Sequence, residues 1–136
     1  MKSLPYWFVG VGTIFVLAGM LWGIQMSITQ DFTLAPAHAH NNLIGFVVMT
    51  VYGFYYRLVP AAADKRLAVL HFWISLVAVL AFVPGIALAI SGKGEILAQL
   101  GSVLVVLSML IFAWTVCIPP SDLAGTRLPP GVGRRR

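Results

Sequence analysis

Four apolar stretches, covering roughly residues 6–28, 42–59, 67–90 and 96–118, dominate this chain and leave little else to fold. A helix needs about 20 such residues to cross the hydrocarbon of a bilayer, and each stretch meets or approaches that length. Lipid offers no hydrogen bonds to an open backbone, so segments of this kind must be helical. The chain is therefore expected to be all-α, a four-transmembrane-helix up-down bundle over residues 1–118, with no room for a soluble domain. Composition agrees: of 136 residues, 60% are hydrophobic and only 10% charged, with a mean hydropathy of +0.92. The first stretch is too long for the apolar region of a cleaved leader and lacks a small-x-small site, so it is read as a spanning helix.

The intervening segments, 31–36, 60–66 and 91–95, are short, which favours antiparallel neighbours. Residues 119–136 turn to Pro, Gly and Arg, a composition that cannot bury a core, and are read as a disordered basic cytoplasmic tail. Cations assign the sides, because Lys and Arg are retained in the cytoplasm. Lys2, Arg57, Lys65, Arg66, Arg127 and Arg134, Arg135 and Arg136 belong to the N-terminus, the second connection and the tail, whereas the other two connections hold only Lys93. Both termini are thus expected to be cytoplasmic in a cell inner membrane, if the source is bacterial. The net charge of +5 reflects this topology and a tail able to touch anionic lipid, so no nucleic-acid partner is implied.

Several residues have packing roles by default. Gly19 and Gly23 form a GxxxG pair suited to a helix contact, within the chain or between copies. Pro84 with Gly85 predicts a kink in the third stretch and a freed carbonyl, for which Ser75 or a neighbouring helix is a candidate partner. Tyr6, Trp7, Tyr55, Tyr56, Trp73 and Trp114 suit an interfacial belt. Cys117, the single cysteine, reads as a small core residue.

His38-Ala39-His40-Asn41-Asn42 is the exception. Two imidazoles and two amides stand where the chain re-enters apolar surroundings near the outer face, and polar groups there need partners. They are either interfacial or capping residues, or ligands. Neutral imidazole suits heme iron, copper or zinc, and a six-coordinate heme takes two axial ligands. Projected at 100° per residue, His38, Asn42, Gly45, Met49, Tyr52, Gly53 and Tyr56 share one face and His40 lies on another, provided the helix already includes the histidines. That projection favours His38 as the inward ligand. His71 is expected to be interfacial or structural, since it lies near the opposite end of its stretch, about 20 Å from the pair across a core of about 30 Å. Ligands to complete a site would have to come from another chain or from a cofactor.

The run Ala37-His38-Ala39-His40-Asn41-Asn42-Leu43-Ile44-Gly45-Phe46, with Tyr55-Tyr56-Arg57-Leu58-Val59-Pro60 further on, resembles small membrane proteins related to the catalytic subunit of heme-copper oxidases and nitric oxide reductases. In that family a histidine in a His-x-Asn setting on the second helix ligates a low-spin heme. The resemblance implies one four-helix group of such a subunit, with b-type heme near the outer face. It puts the ligand on His40, followed by Asn41 and Asn42, ahead of His38. Copper is the alternative metal, with the chain then a non-enzymatic membrane subunit or assembly factor. Neither the family's adjacent His-His pair nor its His-Tyr site is present, so dioxygen reduction is not implied for this chain alone. Electron transfer, with a partner to exchange electrons, or diatomic gas binding is implied instead. Because the family's catalytic subunit contains three pseudo-equivalent groups of four helices, a homotrimer could rebuild it. A homodimer sharing one bis-histidine heme is the smaller assembly.

Overall fold

The computed structural model describes residues 3–118, so the basic tail expected over 119–136 lies outside the described residues. Every regular element among them is helical: α1 (Leu4–Thr29), α2 (Ala35–His40), a π-helical stretch (Asn41–Val48), α3 (Met49–Leu58), α4 (Pro60–Ala63), α5 (Arg66–Ile90) and α6 (Ile96–Cys117). Three of these, α1, α5 and α6, are individually long and apolar enough to cross a membrane. Their surfaces show why. Ile14, Leu17, Leu21, Ile24 and Ile28 on α1, and Val103, Val106, Leu110 and Trp114 on α6, point outward. Helices that are apolar all the way round, with large aliphatic side chains on the outside, mark an integral membrane protein.

The stretch expected to form the second spanning helix is divided. α2, the π stretch and α3 follow one another without a non-helical residue, with lengths of 6, 8 and 10 residues. The wider turn has a visible effect on register. Residues four apart drift in one direction on an α-helix, which turns once every 3.6 residues, and in the other where i→i+5 bonding widens the turn. Alternating the two holds Ala37, Asn41, Gly45 and Met49 in line, and all four are buried, as are Tyr52, Gly53 and Tyr56. Uniform projection was therefore correct for the later residues and wrong at Asn42, which is only half-buried while Asn41 takes the inner position.

Local rules set the ends. Prolines occupy the first turns of α1, α2 and α4, where a missing N–H costs nothing. Gln30 closes α1 in the left-handed region at φ 55°. After it, the Asp31 carboxylate accepts a hydrogen bond from the Thr33 N–H at 3.0 Å, a side-chain turn that starts the first connection. Hydrogen bonds from the Thr33 side chain, then its backbone, hold the Asp31 carboxyl below the usual carboxylate range. The turn between α5 and α6 uses Gly92 and Gly94 at φ +70° and +125°, where a side chain would be strained.

Close backbone approaches hold the helices together. Gly12, Gly19 and Gly23 of α1 lie against Gly45, Asn42 and His38, so the GxxxG pair serves an interface within the chain. α5 and α6 make the most extensive pairing. There Gly85 meets the Ala98 backbone, and a methyl on Gly101 would come within 2.5 Å of Phe82 Cα. α5 runs through Pro84 to Ile90 as one helix. Ser75 does not serve the carbonyl freed by that proline, because its hydroxyl donates to His71 O at 2.7 Å. Two other expectations need correction. Cys117 is exposed rather than in the core. Tyr56 is 1% exposed and belongs to the core, whereas Tyr6, Trp7, Trp73 and Trp114 do face outward.

The two ends of the molecule differ in chemistry. At one, the Arg57 guanidinium lies 5.8 Å from the Tyr6 ring centre, and Lys65 and Arg66 follow α4. The opposite end carries Asp31, Lys93, Glu95 and the two neighbouring histidines.

Candidate functional site

His38 and His40 lie inside α2, so the helical proviso on their projection is met. They diverge. His38 turns toward α1, with its ring edge-on to Trp22 at 6.0 Å and its Cε1 only 3.2 Å from where a Gly23 Cβ would be. His40 turns toward α5, meeting Phe82 edge-on at 5.2 Å. The two imidazoles therefore do not converge on one point, and the described residues contain no group of three or more His, Cys, Asp or Glu able to hold a metal.

Hydrogen bonds assign each ring's proton. His40 Nδ1 is 2.7 Å from Pro36 O, and a carbonyl only accepts, so Nδ1 carries hydrogen and, in the neutral ring, Nε2 keeps a free lone pair. No group among the described residues engages that Nε2. This is how proteins orient a metal-binding histidine: one nitrogen donates to a carbonyl while the other presents its lone pair. His38 is arranged differently. Asn41 Nδ2 donates to Phe15 O at 2.8 Å and to Asn42 Oδ1 at 3.3 Å, which leaves Asn42 Nδ2 to donate to His38 Nε2 at 3.2 Å. The lone pair of His38 is thereby occupied, and its Nδ1 is buried with no partner. An unmet buried donor costs about 1–3 kcal/mol.

Asn42, expected beside the ligands, works through His38 and not at His40. Asn41, which projection missed, anchors the chain of amides to α1. A cue was present in the sequence, since two adjacent amides at this depth need hydrogen-bond partners, but only the wider π turn decides which of them points inward. His40 is the last residue before that turn, and π stretches recur at functional sites.

His71 lies in a separate centre at the heart of the bundle and is 0% exposed. Its Nδ1 is 2.9 Å from Tyr56 Oη and its Nε2 is 3.2 Å from Ser108 Oγ. Phe8, Tyr52 and Phe112 pack around its ring at 5.5, 4.4 and 6.2 Å. It is thus a core residue bonded at both nitrogens, not an interfacial one, and neither His38 nor His40 is among its contacts.

By fold and surface the chain is an all-helical protein with membrane-crossing helices. No protein-family model matches it, and no solved structure does so.

Proposed function

We propose that the protein is a heme-binding membrane protein in which His40 supplies one axial ligand to a b-type heme. The supporting observation is the free Nε2 of His40 behind an Nδ1–H donated to Pro36 O. His38 is the weaker candidate, because its Nε2 is engaged by Asn42. The resemblance of His40-Asn41-Asn42 to the His-x-Asn pattern of heme-copper oxidases agrees with this choice. Exposed Leu43 and Val47, further along the same helical rod, offer apolar surface suited to a porphyrin.

On this reading, α2, the π stretch and α3 together form the second of four spanning segments. The basic end is cytoplasmic, and His40 lies near the outer face. One chain provides one well-presented ligand, so the second comes from another copy, in a homotrimer in preference to a homodimer. A bound heme would supply a one-electron couple or an open position for a diatomic gas, and the protein's part is to orient the imidazole and exclude water. Copper is the less favoured metal, since it calls for convergent imidazoles and these two diverge.

An absorption spectrum of detergent-purified protein, expressed with added heme, tests the reading. Split α and β bands after dithionite, absent in His40→Ala and kept in His38→Ala, are expected. A colourless preparation that carries copper, or bands that survive His40→Ala, would refute it. Intact-complex mass measurement tests the shared ligation, which a heme-retaining monomer would exclude.

A further inference from the structure

α5 begins and α6 ends at the basic end, and between them and α4 lies a half-open recess of about 290 Å³. Small residues make the space. Its inner wall is Ala62 of α4 and Ala68 of α5, both buried. The outer wall is apolar as well, formed by exposed Leu67 and half-buried Ile118. Lys65 is the one charged residue among the described residues that borders the recess, and it has no ion-pair partner among them.

An apolar recess with an unpaired ammonium at its rim suits a molecule that is anionic at one end and hydrocarbon at the other. A lysine near the end of a spanning helix lays its stem along apolar surface and holds its charged head at the water interface, which puts Lys65 at the depth of lipid phosphates. Neighbouring charge has the same sign, since Arg66 follows in the chain and the positive end of the α5 dipole lies here. The acid next to Lys65 in the chain, Asp64, borders a different recess, shared with Tyr6 and Arg57. Size also bears on the occupant. Sites that enclose a small molecule run to about 300–1,000 Å³, and this recess reaches only the lower limit while open on one side. It can take a headgroup and the start of a chain, with the remainder left in the bilayer.

We propose that this recess binds one anionic phospholipid, with the phosphate on Lys65 and the start of an acyl chain against Leu67 and Ile118. Basic pockets between spanning helices hold lipid headgroups in this way. A zwitterionic lipid fits less well, because its own cation would meet Lys65 and Arg66 with no bordering carboxylate to offset them. Free inorganic phosphate gains nothing from the apolar walls. Such a site differs from a general attraction of lipid to basic residues, because it saturates at one lipid per chain and depends on the walls as well as the charge. It stands on different residues from the heme reading and does not depend on it.

Native mass spectrometry of the full chain, titrated in micelles with phosphatidylglycerol or phosphatidylcholine, tests the site by counting each lipid retained and giving its dissociation constant. Phosphatidylglycerol should saturate at one per chain and bind more tightly than phosphatidylcholine. Lys65→Gln should weaken phosphatidylglycerol by about fivefold, the equivalent of the about 1 kcal/mol that one lysine contributes toward anionic lipid, and leave phosphatidylcholine unchanged. Leu67→Trp alters the outer wall without changing charge and should also weaken phosphatidylglycerol. Arg57→Gln removes a cation that borders the other recess and should leave the constant as it is. Equal retention of the two lipids, binding without saturation, equal weakening by Lys65→Gln and Arg57→Gln, or an unchanged constant in Leu67→Trp would overturn the site. So would the retention of no lipid at all, which is what a second copy seated in the recess would give.

Discussion

Gly19→Ala should be among the most damaging single-methyl changes in this protein. Its ideal Cβ would overlap Asn42 Oδ1 and lie 2.8 Å from Asn41 Nδ2. Neither amide is free to retreat, since Asn41 is bonded to Phe15 O at 2.8 Å and Asn42 to His38 Nε2 at 3.2 Å. Overpacking a tight interface costs about 1–3 kcal/mol. Breaking an interhelical hydrogen bond in a membrane protein adds about 0.6 kcal/mol. With one or two such bonds broken, the total is about 2–4 kcal/mol. Gly10→Ala is the matched control, because nothing lies within 4 Å of its Cβ, and a helical alanine there is favoured over glycine by up to about 1 kcal/mol. Reversible unfolding in mixed micelles, followed by near-ultraviolet circular dichroism, should separate the two variants by at least about 2 kcal/mol. Equal stability would mean that α1 does not meet the π stretch in this register, and the assignment of the His38 proton would fall with it.

The other expectations concern separate parts of the fold. His71→Leu keeps the volume but leaves the Tyr56 hydroxyl without its acceptor and Ser108 without its donor, so it should lower stability by about 2–4 kcal/mol in the same assay; a neutral result would show that the ring is not bonded at both nitrogens. An NMR titration of Asp31 should give a midpoint below the ordinary aspartate range, and Thr33→Ala should raise it. Because the folded-state value is depressed, the accompanying stabilisation is present above the unfolded carboxyl's range and is lost as pH falls through the folded value. An unchanged midpoint in Thr33→Ala would remove the Thr33 hydroxyl as the cause.

Much of the architecture is legible in the order of residues. Long apolar runs in α1, α5 and α6 mark spanning helices because lipid permits no other backbone at that length. Pro60 and the paired glycines Gly92 and Gly94 mark breaks and turns through their own restricted or permissive backbones. The polar run His38 to Asn42 is likewise visible, since its desolvation demands partners.

What the order of residues could not decide was direction. Tyr56 and Tyr55 are adjacent and chemically alike, yet one bonds His71 in the core and the other donates to Thr115 O at 3.0 Å. His38 and His40 are two residues apart, yet one turns to α1 and the other to α5. His71 looks like an end-of-helix residue until Ser108, 37 positions later, is brought to its second nitrogen. Composition and periodicity act through nearest neighbours along the chain, and so they determined that these helices form and where they stop. Which polar group meets which depends on helix rotation and close approach, set by Gly19, Gly85 and Gly101 and by a π turn that puts Asn41 rather than Asn42 on the inner face. Those quantities exist only once the helices have packed.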